Sequence, residues 1–311
     1  MISAKSLNET NLVAWDLTRS IPVVSGSKIP REKLTGREFY RRYASENLPV
    51  ILSDVVSHWT AFEKWTPDYF HQTYGDKKLT LRDENREILL ADFVDQVKHA
   101  NSDSPAPYLR NVHIRTDFPE LLPDIDENFV FSKPDYLNSR LLPRNWIRPD
   151  HLLELFFGGV GTQIFTLHYD IYFLHNLIIG IYGEKEFVLF APEDTQYLYP
   201  DVTNNKHSPI NVFEPDFNLY PEFRKATPLY GTLGPGDAVY VPAGWWHMTR
   251  IKTPSISVGM SNLEASNWSY FLDDVRPPPE GGKTLRWLAV RSYLHAVGLS
   301  LKAIQWCKSF N

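Results

Sequence analysis

The residues with the clearest chemical potential are His168 and Asp170, two positions apart, and His247, farther along the same region. On a β-strand, residues two apart project from the same face, so His168 and Asp170 offer two ligand atoms to one ion. The third ligand must come from a distant strand, and His247 supplies it. Two histidines and one carboxylate on one face of a metal leave the opposite face open, as in the Fe(II) sites of non-haem oxygenases.

A His-x-Asp pair alone is weak evidence for a metal, because such pairs are common on surfaces and in turns. The same three ligand types also suit catalytic zinc, so a zinc hydrolase is a second interpretation. The sequence on both sides of the pair must decide between an Fe(II) oxygenase and a zinc hydrolase. The positions of the ligands depend in turn on the helices and strands that carry them.

The composition is that of a soluble globular protein. The chain has 311 residues, of which 43% are hydrophobic and 22% charged. A net charge of −5 argues against a broadly basic surface for nucleic acid or membranes. The single cysteine, Cys307, fits a reducing compartment. No signal peptide begins the sequence, and no apolar run reaches the roughly 20 residues that span a bilayer. We therefore expect a cytoplasmic location, with the nucleus as the alternative, and no membrane partner.

The first half of the chain has the pattern of mixed helices and strands. Thr35 and Glu38 form a capping-box sequence before a helical stretch. Thr66 followed by Pro67 is a favourable helix start, and Leu89 to His99 has helical periodicity. Strands are predicted over 48–52, 78–82 and 108–114. We expect residues 1–150 to pack as helices and strands on a barrel formed by residues 151–270.

From Leu152 onward, short strands recur with turn signals between them, which is typical of an all-β barrel or jelly roll. The predicted strands are 163–168, 177–181, 186–190, 227–233, 238–241, 247–251 and 255–259. Residues 192–226 form a long insertion between two of them.

Residues 271–311 are predicted to be a linker and a helical tail. Pro277 to Gly282 interrupts any preceding element, and apolar residues then recur at helical spacing. These residues are Leu285, Leu288, Ala289, Leu294, Val297, Leu301 and Ile304. Packing of the tail on its own domain is the favoured expectation, with a homodimer through this helix as the alternative.

A series of motifs runs in a fixed order along the chain. They are Leu48-Pro-Val-Ile, Phe118-Pro-Glu-Leu, Gly161-Thr162, Leu167-His-Tyr-Asp170, His175-Asn176-Leu, Gly183-Glu-Lys185, Phe190-Ala-Pro192, Gly234-Pro-Gly-Asp237 and Val241-Pro-Ala-Gly-Trp-Trp-His247. As a set they resemble the jumonji-C or cupin-8 class of Fe(II)/2-oxoglutarate oxygenases, most closely the small single-domain hydroxylases. The resemblance covers most of residues 35–262.

The resemblance implies a mainly β fold: a double-stranded β-helix, or jelly-roll barrel, with N-terminal α/β elements and flanking helices. It implies that His168, Asp170 and His247 hold Fe(II), with 2-oxoglutarate and O₂ as cosubstrates. Lys185 takes the place of the lysine that grips the distal carboxylate of 2-oxoglutarate. Asn176, nine residues earlier, is a second cosubstrate candidate. Thr166 and Tyr108 are weaker ones.

The chain departs from the family pattern at two places. Between Asp170 and Asn176 it has two residues more than the family usually has, and we expect a bulge or wider loop to absorb them. After the distal histidine, Gly259 stands where the family often has an asparagine near the cosubstrate. Two expectations follow: either Asn262 or Ser261 substitutes for this asparagine, or the contact is lost.

The resemblance favours hydroxylation of a protein or peptide side chain. A tRNA nucleoside or a small molecule is an alternative substrate, and N-methyl demethylation would use the same hydroxylation step. The non-enzymatic alternative is a cupin-like binding protein that has lost turnover. A zinc hydrolase would have no use for Lys185 at its family position.

Overall fold

The computed structural model describes residues 28–126, 129–132, 153–164, 166–275 and 285–308, with side chains described to residue 303 in the last range. Its strands, numbered in chain order, are β1 (Arg31–Glu32), β2 (Val50–Leu52), β3 (Lys78–Leu81), β4 (Arg86–Leu89), β5 (Leu109–His113), β6 (Leu153–Gly158), β7 (Leu167–His168), β8 (His175–Tyr182), β9 (Lys185–Phe190), β10 (His207–Ser208), β11 (Leu229–Leu233), β12 (Ala238–Val241), β13 (Trp246–Ile251) and β14 (Ser255–Asn262).

The helices surround these strands. They are α1 (Gly36–Phe39), which continues as a π-helical turn over Tyr40–Ala44, α2 (Thr60–Lys64), α3 (Pro67–Tyr74), α4 (Leu90–His99), α5 (Ile114–Asp117), α6 (Trp268–Asp274) and α7 (Leu285–Lys308). Short 3₁₀ turns lie at Pro119–Asp124, Val130–Ser132, Ile171–Phe173, Pro192–Tyr197 and Pro221–Lys225. No described helix is both long and apolar enough to cross a membrane.

Two sheets form the barrel. The larger has the order β1-β2-β12-β8-β14-β6-β5, and the smaller has the order β10-β7-β13-β9-β11. Pairing is antiparallel except between β1 and β2. Strands β1, β2 and β5 precede residue 151 in the chain, so the N-terminal part extends the larger sheet as well as covering it. A separate hairpin, β3-β4, stands outside the barrel.

The outer face of the larger sheet is buried under the N-terminal helices. In β8, Leu177, Ile179 and Ile181 alternate outward into a core shared with Phe70 of α3 and Phe93 of α4. The period of two that makes β8 a strand thus gives it one apolar face for the helices and a second face for the barrel interior.

The outer face of the smaller sheet is covered by the 192–226 segment. Phe190 of β9 and Trp246 of β13 are fully buried there against Leu198 and Phe223. This cover leaves the opposite face of the same strands to the barrel interior, where Ile178 and Val239 of the larger sheet meet Phe187 and Leu189 of the smaller one.

Each of the seven predicted barrel strands is present and in the predicted order, but not every boundary is right, and the structure adds β6 and the two-residue β10. The strand predicted over 163–168 was too long, because Gln163 makes only an isolated bridge with Arg250 and the strand begins at Leu167. The last strand was too short, since it continues to Asn262. Strand β6 and helix α6 were not predicted as separate elements.

The C-terminal helix packs on its own domain through one face only. Leu294, Val297 and Leu301 are buried against α6. Leu285 and Leu288, predicted on the apolar stripe, are instead 86% and 50% exposed, and Ala289 is exposed as well. These three residues lie on the part of the helix that faces away from α6, so their assignment to the packed stripe was wrong. The predicted linker at 277–282 and Ile304 lie outside the described residues and side chains.

Candidate metal centre

The three predicted ligands meet inside the barrel. His168 ends β7, Asp170 follows two residues later, and His247 is the second residue of β13. Because β7 and β13 are neighbours with His168 opposite His247, the two rings lie side by side with centroids 4.3 Å apart. One ligand atom from each of the three residues lies within 4.8 Å of the others. This spacing fits a single ion bound by all three.

Hydrogen bonds prepare both histidines for a metal. Nδ1 of His168 donates to the carbonyl of Thr166 at 3.0 Å, and Nδ1 of His247 donates to the carbonyl of Trp245 at 3.1 Å. A carbonyl only accepts, so each ring carries its proton on Nδ1 and keeps the Nε2 lone pair for a ligand bond. Burial, followed by the neighbouring His247, lowers the pKa of His168 well below its usual value. The neutral form that binds metal is therefore favoured.

Asn176 lies beside the carboxylate ligand. Its Nδ2 donates to Oδ2 of Asp170 over a long 3.4 Å, and its Oδ1 is buried with no hydrogen-bond partner among the described residues. An unpartnered buried amide oxygen is costly, so this atom marks a place where a polar group of a bound molecule or a water fits. The structure therefore brings Asn176 into the predicted site.

The two extra residues before Asn176 are absorbed in the turn over Ile171–Phe173. Tyr172 and Phe173 take left-handed backbone conformations, with φ of 58° and 50°. Strand β8 then begins at His175, and Asn176 pairs with Val241 on one side and Ser261 on the other. The insertion is thus confined to the turn, as expected, and β8 pairs with β14 in continuous register from His175 to Gly180.

Lys185 lies in the barrel interior, at the start of β9. It is 3% exposed, and its Nζ donates to the hydroxyls of Tyr108 and Ser257, both at 2.9 Å. Burial lowers the pKa of Lys185 to about 7. An ammonium held by neutral hydroxyls in a buried pocket gains most from an anion, because a carboxylate would offset its desolvation. Tyr108 thus joins the predicted group, and Ser257 is a partner that sequence reasoning missed.

Phe156 occupies the space that Gly259 leaves open. A Cβ added to Gly259 would stand 2.7 Å from Cε2 of Phe156. The Phe156 ring stacks on Tyr108 with centroids 6.2 Å apart, and Lys185 Nζ lies 5.2 Å from its centroid. An asparagine at 259 would collide with this ring. At this departure from the family pattern, the lysine pocket therefore has an aromatic wall.

Thr166 is placed differently from the lysine group. Its hydroxyl is hydrogen-bonded to Nδ1 of His207 at 2.8 Å, and the His207 ring stacks on His168 with centroids 5.7 Å apart. Thr166 and His207 therefore support the first metal ligand from the side of the 192–226 segment. His207 was not predicted, because β10 is a two-residue strand within that insertion.

A largely buried carboxyl group, Glu154 of β6 with its side chain 16% exposed, is a further polar feature of this region. Asn111 Nδ2 donates to its Oε1 at 3.2 Å, and His113 Nδ1 lies 3.6 Å from the same oxygen. Burial raises the pKa of Glu154 to about 7, and the negative charge of Asp170 adds to this effect. Alternation with Phe156 was the one sequence signal that could have placed Glu154 on the inward face.

The arrangement combines two binding functions in one barrel. A three-ligand set with free lone pairs can hold a divalent metal, and a buried lysine with two hydroxyls can hold a carboxylate. A small molecule with a chelating end and a distal carboxylate would satisfy both.

The sequence is similar to those of several known proteins. Jumonji C domain-containing protein 5 of Drosophila melanogaster is 28% identical over 273 residues, covering 82% of this chain and 64% of the relative. The tRNA wybutosine-synthesizing protein 5 of Homo sapiens is 28% identical, covering 72% of this chain and 75% of the relative. Lysine-specific demethylase 8 of Danio rerio is 28% identical, covering 77% and 60%. The chain thus spans less than two thirds of the fly and fish relatives.

A single protein-family model matches most of the chain. Residues 36–261 match the family described as Cupin-like domain, and this range contains both barrel sheets except β1 and the last residue of β14. It includes the three candidate metal ligands and Lys185. The chain therefore belongs to the cupin-like domain family, together with relatives named for their JmjC domains.

Proposed function

We propose that this protein is an Fe(II)- and 2-oxoglutarate-dependent dioxygenase that hydroxylates a C–H bond of its substrate. The observation that carries the proposal is Lys185, a buried ammonium whose described hydrogen bonds go only to the hydroxyls of Tyr108 and Ser257. A zinc hydrolase that uses water needs no such anion pocket. An oxygenase whose cosubstrate carries a distal carboxylate does.

The residues of the site would have separate roles in binding the metal and the cosubstrate. His168 and His247 present Nε2, and Asp170 presents a carboxylate oxygen, to the metal. Bound Fe(II) supplies the chemistry that couples oxidative decarboxylation of 2-oxoglutarate to hydroxylation. Lys185 pairs with the distal carboxylate, and Phe156 forms an apolar wall beside it. Asn176 orients Asp170 through its amide and offers its free oxygen to the same chamber.

For the substrate, we propose a protein or peptide side chain. One relative is named a lysine-specific demethylase, which supports a protein substrate and keeps N-methyl demethylation as an alternative. The relative named for tRNA wybutosine synthesis supports a tRNA nucleoside as the second candidate, and its alignment covers 75% of its own length. Stimulation of 2-oxoglutarate consumption by peptide pools, by tRNA or by small-molecule pools would separate these candidates.

Chelation of 2-oxoglutarate by the bound metal, which the proposed activity requires, can be tested without a substrate. Anaerobic addition of Fe(II) and 2-oxoglutarate should give the weak visible metal-to-ligand charge-transfer band of a chelated cosubstrate. The band should vanish in His168→Ala and require much more 2-oxoglutarate in Lys185→Met. Lys252→Ala, which removes a half-exposed lysine near the barrel, is the matched control and should behave as wild type.

Two outcomes would count against the proposal. Metal binding without the band would mean that 2-oxoglutarate does not chelate, and the zinc or binding-protein interpretation would take its place. A band with equal 2-oxoglutarate dependence in wild type and Lys185→Met would remove the role assigned to Lys185.

A further inference from the structure

The segment that carries the metal ligand Asp170 is held from both sides by other parts of the chain. Before Asp170, the N–H of Tyr169 donates to the carbonyl of Lys206 at 3.1 Å. After it, the N–H of Tyr172 donates to Oδ2 of Asp274, the last residue of α6, at 2.7 Å. Asp170 therefore lies in a short span whose two ends are both fixed by hydrogen bonds.

The contacts after Asp170 are more extensive than those before it, because Asp274 and Asn267 bind the turn at two successive residues, Tyr172 and Phe173. Nδ2 of Asn267, the residue before α6, donates to the carbonyl of Phe173 at 2.9 Å. Asp274 also pairs through Oδ1 with the ammonium of Lys206, so one carboxylate connects both sides of the span. The side chains of this ion pair are 16% and 11% exposed, which protects it from screening by solvent.

The turn needs such support because of its backbone. Tyr172 and Phe173 both have positive φ, a region that side chains other than glycine rarely adopt. Two such residues in succession persist only where the surroundings determine the conformation. The Tyr172 ring lies against Phe271 of α6, with centroids 6.2 Å apart, and the Phe173 ring stacks on Tyr270 at 5.6 Å. The helix thus contacts the turn through both side chains and backbone.

Helix α6 is in turn fixed to α7. Nε1 of Trp268 donates to the carbonyl of Leu294 at 2.9 Å, and the Trp268 ring lies so close to Gly298 that an added Cβ there would be 2.3 Å from its Cδ1. A continuous set of contacts therefore runs from α7 through α6 to the span that carries Asp170.

We infer that α6 is a positioning element of the metal site, and that Asp274 sets the approach of Asp170 to the metal by holding the Tyr172–Phe173 turn. This inference rests on the proposed metal centre and extends it to a helix that follows the barrel. Asp274 would touch neither metal nor cosubstrate. Its effect would pass through Asp170, as outer-shell partners of metal ligands commonly act.

The test is metal affinity in the full chain, measured with Co(II), whose visible spectrum reports binding and ligand geometry directly. Asp274→Ala should raise the dissociation constant for Co(II) about 10-fold, the lower end of what loss of an outer-shell partner costs. Its Co(II) spectrum should also change. Asp274→Asn keeps an oxygen acceptor for the Tyr172 N–H, so it should recover part of the affinity.

The matched control is Asp273→Ala, which removes the adjacent carboxylate, 75% exposed and 3.7 Å from Arg291. It should bind Co(II) as wild type does. Lys206→Met removes the other partner of the Lys206–Asp274 ion pair and should also weaken Co(II) binding. This variant keeps the test valid if Asp274→Ala does not fold.

The outcomes separate this inference from the proposed function. If wild type fails to bind Co(II), the proposed metal centre itself is wrong. If wild type binds but Asp274→Ala and Lys206→Met lower only the melting temperature, with unchanged Co(II) affinity and spectrum, then α6 merely stabilises the fold and the inference is overturned.

Discussion

At the scale of single residues, the pocket around Lys185 links charge to cosubstrate binding. Its ammonium is desolvated and has only the hydroxyls of Tyr108 and Ser257 as described hydrogen-bond partners, so its pKa falls to about 7. Much of the free protein then holds Lys185 neutral at mildly alkaline pH. A carboxylate favours the charged form, so binding of 2-oxoglutarate must raise this pKa again.

The consequence is a proton taken up when 2-oxoglutarate binds. Above pH about 7, free Lys185 is mainly neutral and must gain a proton to pair with the carboxylate, so affinity should fall as pH rises. Near pH about 6, Lys185 is already charged and uptake should be small. Calorimetry in buffers with different ionisation enthalpies would measure this proton directly, with Lys185→Met as control. Proton uptake that is equal at both pH values would contradict the assignment.

The pKa of Glu154 is shifted in the opposite direction from that of Lys185. Burial raises its pKa from 4.5 to about 7, so between these values the folded protein holds a proton that the unfolded chain has released. The contribution of Glu154 to stability should therefore fall as pH rises through this window. Glu154→Gln should flatten the pH dependence of the melting temperature from about pH 5 to 7. An unchanged slope in the variant would show that Glu154 does not titrate there.

Gly259 and Phe156 form a pair in which the missing side chain of one admits the ring of the other. Gly259→Ala should displace the ring against Tyr108 and Lys185, lowering stability by about 1–3 kcal/mol, as overpacking of a core does. The affinity for 2-oxoglutarate should fall while that for Co(II) is kept. At Gly234 an added Cβ would meet only Asp237, at 3.8 Å, so Gly234→Ala is the control. Equal stability and equal 2-oxoglutarate affinity of the two variants would argue against the close packing of Phe156 on Gly259.

At the scale of elements, the turn between β8 and β9 determines where Lys185 enters the barrel. Gly183 has a φ of 68°, and a Cβ there would stand 1.8 Å from the carbonyl oxygen of Pro254. Gly183→Ala should therefore shift the start of β9 and weaken 2-oxoglutarate binding more than metal binding. The measurements are titrations of the variant with 2-oxoglutarate and with Co(II). Loss of both affinities in equal proportion would indicate general unfolding and not a local shift of Lys185.

The elements also show what the sequence could predict. The capping box of Thr35 and Glu38 is present as expected, because its signal is local. His168, Asp170 and His247 converge because strand alternation and a known motif order constrain them. Ser257 was missed, although it lies two before Gly259 on the same inward face, because a lone serine in a strand carries no distinctive signal. Helix α6 was missed because it has only seven residues and Asn267, the residue before it, makes no side-chain cap hydrogen bond, so the local start signal is weak.

At the scale of the whole molecule, α7 presents apolar side chains to solvent on the face away from α6. Leu285, Leu288 and Leu299 are all at least half exposed. Exposed apolar residues clustered on one helix commonly mark a contact surface. The homodimer through this helix therefore remains our proposal for the assembly.

The proposal predicts a concentration-dependent dimer. Sedimentation of wild type should show association that Leu288→Glu together with Leu299→Glu abolishes, because a buried carboxylate without a partner is costly. The double variant Asp273→Lys and Arg291→Glu, which exchanges a surface ion pair, is the control of comparable size. A wild type that stays monomeric at the highest concentrations would exclude the dimer.

The pairing of β7 with β13 has a further consequence for how the protein is made. His168 and His247 become neighbours only after the intervening strands and the 192–226 segment have been placed. Contacts between such distant positions form late and slowly during folding. A nascent chain halted before β13 emerges from the ribosome lacks the second imidazole, so tight capture of metal would report that the barrel has closed and that synthesis has passed His247.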